Sequence, residues 1–426
     1  MAEPLARVLE LRAQADYAGA LAAADGAVED EPERFDLLLE LGRLQHDLGE
    51  GDAAEATFRR ALAAAATESD RARALARLSA VHRDQGRFGD AERAAREALE
   101  LAPDGSLETA DALVELAGAQ FAVTRYDAAE ESCLRAFPAA EDAPPGLERN
   151  RVRTRAHATL GSLHRARGRY GEAETVLRET IDLAEESFGP DSLETSDALN
   201  DLAIVFKYSG RFDEAEPLYH RALDINVRAV GEVHYNVASI YHNLGGLEHA
   251  RGNHERAEPH ARRSVELRRE AVGPDHPATA ADEAALASIL YELGSDDEAE
   301  QLLRSAISTY DRIYAGEHYE LSVHLNNLAA ILQRRQAYEE AEALYRRALA
   351  MKEKLLGPDH PVLANTLNNL AVICRREGRF DEAERLYERA LTLLEAGVEP
   401  DHPTLARTRR NYEALLRATG REPAPQ

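Results

Sequence analysis

Residues 378–391 read GRFDEAERLYERAL, and close copies of that segment fill the chain. QAYEEAEALYRRAL (336–349), GSDDEAEQLLRSAI (294–307) and GNHERAEPHARRSV (252–265) precede it. Further upstream lie GRFDEAEPLYHRAL (210–223) and GRYGEAETVLRETI (168–181), and each copy starts 42 residues after the last. Looser copies begin at Thr124, Gly86 and Gly49, at spacings of 44, 38 and 37 residues. A fixed period of this size marks an array in which each repeat is one supersecondary unit stacked on the next.

Each copy follows a second periodic segment, such as ANTLNNLAVICRREG (364–378). Leu recurs eight residues before the copies (Leu41, Leu78, Leu116, Leu160, Leu202, Leu244, Leu286, Leu328, Leu370), each followed by Gly, Ala or Ser. Inside the copies Ala recurs at Ala54, Ala91, Ala129, Ala173, Ala215, Ala257, Ala299, Ala341 and Ala383. A small side chain among larger apolar ones marks a close approach of two helix axes. Each unit therefore reads as helix A, a turn at the Gly, and helix B. Asp213 and Asp381 are placed to cap helix B, with Glu216 and Glu384 as reciprocal partners. Pro217 and Pro259 are expected within its first turn. FGPDS (188–192), VGPDH (272–276), LGPDH (356–360) and VEPDH (398–402) separate successive units, with VGEVH (230–234) and AGEHY (315–319) as variants. The expected organisation is N-terminal helices over 1–34, three looser units over 35–137 and an irregular Pro-rich connection over 138–150. Six regular units over 151–396, a capping helix over 397–420 and a tail over 421–426 follow. The 138–150 connection is the expected kink.

The 426 residues are 44% hydrophobic and 30% charged, with 51 Lys and Arg against 77 Asp and Glu. A formal charge of −26 argues against nucleic acid or an anionic membrane as partner. Two cysteines, Cys133 and Cys374, provide neither a disulfide framework nor a four-cysteine metal site. Without a secretion signal or a membrane-length apolar run, a cytoplasmic location is the expectation. Absence of Trp, few aromatics and abundant Ala and Leu favour helices over sheets.

The pattern resembles the tetratricopeptide repeat. LNNLA in helix A, EAEPLY or EAERLY in helix B and LGPDHP between units resemble the kinesin-light-chain group in particular. Asn326-Asn327, Asn368-Asn369 and Glu214–Tyr219 carry that match. It is strong over 154–420 and generic over 36–137. The resemblance implies an all-α fold, a right-handed superhelical α-solenoid, with A helices lining the concave surface. No heptad stretch is present for a motor-binding coiled coil, so the likeness implies the recognition module alone.

With Leu370 and Ala371 inward, helix A of the last unit exposes Asn365, Asn368, Val372 and Arg375, with Asn369 and Arg376 beside them. Asn326, Asn327, Gln333 and Arg334 occupy equivalent places, as do His242, Asn243 and His249, then Asn200, Asp201 and Lys207, with Arg165 further along. Asn offers both a donor and an acceptor, so an Asn ladder fits an extended peptide backbone, while Arg and Lys select carboxylates. The resemblance assigns peptide contact to Asn243, Asn327 and Asn369. The candidate peptide-binding set is Asn200, Lys207, His242, Asn243, Asn326, Asn327, Arg334, Asn368, Asn369, Arg375 and Arg376. The other reading of these Asn residues is helix–helix hydrogen bonding. Glu40, Arg77 and Glu115 replace them in the first three units, so the groove there differs in chemistry.

His234, His276, His318, His360 and His402 also recur by 42. Equivalent residues of successive units lie at least about 10 Å apart, whereas zinc ligands lie about 2 Å from the ion. These histidines therefore read as turn or capping residues. No nucleophile elbow, phosphate loop or dinucleotide fingerprint appears. The sequence points to a non-enzymatic scaffold for a protein or peptide ligand, an acidic one among the candidates, with no cofactor and no metal. Pockets for side chains are expected at Ile204, Val372 and Tyr291. A ligand-responsive sensor is the alternative, and an enzyme using the unusual Asn200–His249 constellation is a third reading.

Overall fold

The computed structural model describes residues 3–14, 16–314, 318–397 and 403–420. The turn residues 315–317 and 398–402, His402 among them, and the 421–426 tail lie outside the described residues. Among the described residues every regular element is a helix, and none is long and apolar enough to cross a membrane. The fold is an all-α solenoid of helix hairpins, and the chain divides into two compact units between Val272 and Gly273.

Unit 1 begins with α1 (Glu3–Ala13) and α2 (Tyr17–Asp30). The hairpins α3 (Phe35–Asp47) with α4 (Gly51–Ala64), α5 (Glu68–Asp84) with α6 (Phe88–Leu101), and α7 (Leu107–Ala122) with α8 (Tyr126–Asp142) follow. It continues through α9 (Leu147–Ala166) with α10 (Tyr170–Phe188), α11 (Leu193–Tyr208) with α12 (Phe212–Val230), and α13 (Tyr235–Ala250) with α14 (His254–Val272). Unit 2 holds α15 (Pro277–Glu292) with α16 (Asp296–Tyr314), and α17 (Tyr319–Arg334) with α18 (Tyr338–Leu356). Its last elements are α19 (Leu363–Arg376) with α20 (Phe380–Gly397), then α21 (Pro403–Ala418).

The 138–150 connection is mostly helical: α8 runs through Pro138 to Asp142, and α9 starts at Leu147. Pro138 lies on the exposed side of α8, where water can serve the carbonyl left without a donor. Only 143–146 are irregular, and the boundary between compact units falls elsewhere.

The recurring Ala residues are the closest points of packing. All nine, from Ala54 to Ala383, are fully buried, and Tyr219, Tyr345 and Tyr387 fill the grooves beside them. The small residue after each Leu is equally constrained: a Cβ on Gly245 would meet the Ala261 backbone nitrogen at 3.1 Å. The turn within each hairpin needs a left-handed residue, which Gly210, Gly252 and Gly378 supply. Thr124 and Gln336 stand in that same position at φ 60 and 65, without the freedom of glycine.

Helix B starts two residues earlier than the sequence suggested. Arg211 is the N-cap of α12 and makes no side-chain cap bond, so Asp213 lies inside the first turn. Its carboxylate and that of Glu216 pair instead with Arg251 of the next hairpin, at 2.8 and 2.6 Å. Asp381 likewise falls within α20. The earlier start also puts Pro217 and Pro259 at the sixth position of their helices, beyond the first turn. Similar pairs join Arg169 to Glu130, Arg335 to Glu300 and Arg379 to Glu342. Such exposed pairs add little stability each; their repetition fixes the register of hairpin on hairpin. The recurring histidines cap helix A: Nδ1 of His234, His276 and His318 accepts from the amide two residues on at 3.1, 3.1 and 3.2 Å.

Within unit 1 the array curls until its first hairpin meets α11 and α12. The Tyr17 hydroxyl accepts from the Leu193 amide at 3.3 Å, Arg12 lies 3.7 Å from Glu194, and Ala229 and Val230 pack into the core of α1–α3. A ladder of charges runs along the inner side of this curl. Arg12 bonds Glu40 and Asp47, Arg43 bonds Glu148, Arg77 and Arg155 share Asp111, and Arg83 holds Glu115. Burial works against charge on Glu40, but Arg12 and Arg43 hold its carboxyl down at about 2.

Candidate ligand-binding site

Successive A helices touch directly (α15 with α17, α17 with α19, α19 with α21), whereas successive B helices make at most marginal contact. The A helices therefore lie on the inner side of the curve within each unit. In unit 2 they line an open trough of about 500 Å³, bordered by Tyr291, Asn326, Arg334, Asn365, Asn369 and Arg407 among others.

Helical geometry explains which side chains reach the trough. Asn369 and Asn327 are half-buried, while Asn368 and Asn326, one residue earlier, turn between the helices and are only 2% and 8% exposed. The paired asparagines bond from one unit to the next. Asn411 Nδ2 donates to Asn368 Oδ1 at 2.9 Å, and Asn243 Nδ2 donates to Asn200 Oδ1 at 2.9 Å. Where the repeat lacks the first Asn, Asn327 Nδ2 turns to Ser288 Oγ at 3.3 Å. Asn326 accepts from Thr366 Oγ1 at 3.1 Å, and Asn368 Nδ2 donates to Asn369 Oδ1 at 3.2 Å. Much of the Asn ladder thus serves helix–helix bonding. Asn368 and Asn326 bond between helices, and of the pairs in unit 2 Asn326 and Asn369 border the trough.

The cations divide sharply. Arg334 pairs with Asp296, donates to the Tyr291 carbonyl at 2.8 Å and stacks on the Tyr291 ring at 3.6 Å. Arg376 donates to the Tyr338 hydroxyl at 3.2 Å and Arg407 to Asn365 Oδ1 at 2.6 Å. Among the described residues neither Arg376 nor Arg407 has a carboxylate within ion-pair distance, although both are exposed on a chain of charge −26. Arg375 is half-buried, one step round the helix from the trough. Sequence reasoning missed Arg407: α21 reads as a solvating cap, but 42 residues separate Asn365 from Arg407, and the period itself was the available signal.

The remaining candidates lie in unit 1. Asn200, Lys207, His242 and Asn243 are all half-buried on α11 and α13. Val372 and Ile204 are half-buried too, packed on core side chains.

One grouping has metal-ligand chemistry: Glu342, Cys374 and Glu382 bring ligand atoms within 4.8 Å of one another. Arg379 already bonds both carboxylates at 2.6 Å, and burial pushes the Cys374 thiol up to about 11. A guanidinium occupies the cation's place.

Tetratricopeptide-repeat family models match residues 152–226, 236–312, 320–396 and 373–424, and two further versions match 11–78 and 77–144. A comparison with curated proteins finds no match. Among solved structures, the chain is similar to a Rap protein complexed with competence and sporulation factor (14% identity, TM-score 0.54). That likeness covers 83% of this chain and 99% of the other. It is also similar to BtubC from P. vanneervenii (19% identity, TM-score 0.42), over 66% of this chain and 96% of that one. A third likeness is to the Podosopora anserina "kinesin light chain nearly identical TPR-like repeats" (22% identity, TM-score 0.41), over 47% of this chain and 94% of the other.

Proposed function

The chain belongs to the tetratricopeptide-repeat family, and we propose that it is a non-enzymatic protein-binding scaffold that takes an extended, acidic peptide segment along the trough of unit 2. The observation that carries this reading is the pair Arg376 and Arg407, left without carboxylate partners beside Asn369. Arg71, Arg135, Arg165 and Arg385 also lack a carboxylate among the described residues, but Arg376 and Arg407 lack one side by side on the trough, where an outside anion can meet both. A guanidinium offers a planar fork of donors that matches a carboxylate. Asn369, whose Oδ1 already accepts from Asn368 Nδ2, has amide capacity left to bond the segment. Arg334, stacked on Tyr291, forms a flat wall against which an apolar or aromatic side chain can lie.

Capture experiments test this reading. The 426-residue chain bearing Asn369→Ala and Arg376→Ala should lose a partner that the unmodified chain retains, with helicity unchanged by circular dichroism. Retention of the same partner by the variant removes the trough from consideration.

A second reading, a ligand-responsive regulator, has support in the long-range contacts that close unit 1 on itself. Solution scattering distinguishes it: a regulator changes its radius of gyration on saturation with ligand, and a passive scaffold does not.

A further inference from the structure

The inner face of unit 1 pairs its charges thoroughly until α9 and α11, and there the pairing stops. Arg165 and Lys207 occupy the same place in successive repeats, 42 residues apart, and both reach the Tyr208 ring, at 5.3 and 5.1 Å from its centroid. Two cations held over one ring repel each other, and no carboxylate among the described residues lies within ion-pair distance of either. One and a half turns earlier on α11, Asp201 takes the place that Asn243, Asn327 and Asn369 hold elsewhere. It has no hydrogen bond or ion pair among the described residues, and neither has Asp197 one turn before it. Arg165 is near enough to favour the Asp201 carboxylate but not to pair with it.

Space is provided at the same spot. Gly246 on α13 stands where the equivalent positions hold Ile204, Ser288, Ala330 and Val372. The only atom a Cβ there would meet is Lys207 Nζ, at 3.4 Å. Burial raises Asp201 to about 7, and burial with Arg165 nearby lowers Lys207 to about 8. Unpartnered groups of both signs cost stability, and a ligand that supplies the missing partners offsets that cost.

We propose that the hollow beside Arg165, Lys207, Asp201 and Gly246 is a binding site, separate from the trough of unit 2, for a small amphoteric molecule whose carboxylate meets Arg165 and Lys207 and whose amine meets Asp201. The six residues from Asp201 to Lys207 rise about 9 Å along the helix and turn about a third of a circle round it. The two groups of the ligand are therefore separated by several bonds, as in an ω-amino acid or a short free-ended peptide, and not by one carbon as in an α-amino acid.

Equilibrium dialysis of the full chain tests this, using mixtures of α-amino acids, ω-amino acids and free-ended di- to tetrapeptides read by mass spectrometry. Each mixture is paired with its N-acetylated and its amidated counterpart. Wild-type protein should concentrate members with well-separated charges, and blocking either end should weaken retention at least tenfold. Asp201→Asn should abolish the penalty for acetylation and Lys207→Met the penalty for amidation. Gly246→Leu, which fills the hollow against Lys207 Nζ but alters no charged residue and leaves an ordinary helical residue, should abolish retention. Arg407→Ala in unit 2 should leave it unchanged, which separates this site from the trough. The proposal fails if wild-type protein retains none of the mixtures, or retains them equally well in the Asp201, Lys207 and Gly246 variants.

Discussion

The hydroxyl of Tyr17 accepts a hydrogen bond from the backbone amide of Leu193 at 3.3 Å, across 176 residues of sequence. The amide belongs to the first residue of α11, one of the N–H groups a helix cannot satisfy by itself. Tyr17→Phe keeps the buried ring and removes the acceptor. Unit 1 should lose about 1 kcal/mol, and amide exchange in α1 and α2 should quicken. Unchanged exchange there would mean that the curl closes without this bond.

Arg12 is the hub of the same closure, contacting Glu40, Asp47 and Glu194. Arg12→Met leaves Glu40 buried without one of its principal partners. A loss of roughly 3–5 kcal/mol is expected, concentrated in unit 1 and read as an early transition in urea denaturation followed by circular dichroism.

Thr124 and Gln336 carry positive φ where the equivalent positions of other hairpins hold glycine. L side chains are strained in that region, and the β-branched Thr more so. Replacing either with Gly should stabilise the chain by about 1 kcal/mol, with Thr124→Gly the larger gain. The midpoint of thermal unfolding measures it; a fall in that midpoint would refute the strain.

His324 is 4% exposed, edge-on to Tyr310 at 4.9 Å, and neither ring nitrogen has a hydrogen-bond partner. Burial, with His318 adding, lowers it to about 4. Because the folded value lies below the unfolded one of about 6.5, the unfolded chain takes up the proton first as pH falls. Stability should therefore drop between about pH 6.5 and 4, by roughly 3 kcal/mol at the lower end. His324→Phe should flatten that dependence, as measured by urea midpoints at pH 7.5 and 5.

The period of 42 residues made the helices, their hairpin pairing and the buried Ala and Tyr positions readable, because each is dictated by side-chain size at a fixed helical phase. The caps were misread by two residues, since Arg211 precedes α12 as its N-cap without the side-chain bond that Asp213 suggested. The Asn residues show the deeper limit. Asn368 and Asn369 are adjacent and chemically identical, yet a rotation of about 100° per residue buries the first against Asn411 and leaves the second at the trough. Nor does periodicity report pairing: Arg334 has a carboxylate and Arg376 has none, a difference set by Asp296 on a neighbouring helix. The closure of unit 1 was beyond reach, because the array's curvature, and not any local motif, brings Tyr17 to Leu193.

Charge reversal in the trough bears on the whole reading at once. Fluorescence anisotropy with a pool of labelled, acidic twelve-residue peptides should show binding to the unmodified chain. Arg376→Glu with Arg407→Glu should weaken that binding at least tenfold, while Arg385→Glu, exposed on the outer helix α20, leaves it within twofold. Equal weakening by all of them would reduce the effect to net charge, and undiminished binding by the double variant would place the ligand somewhere other than this trough.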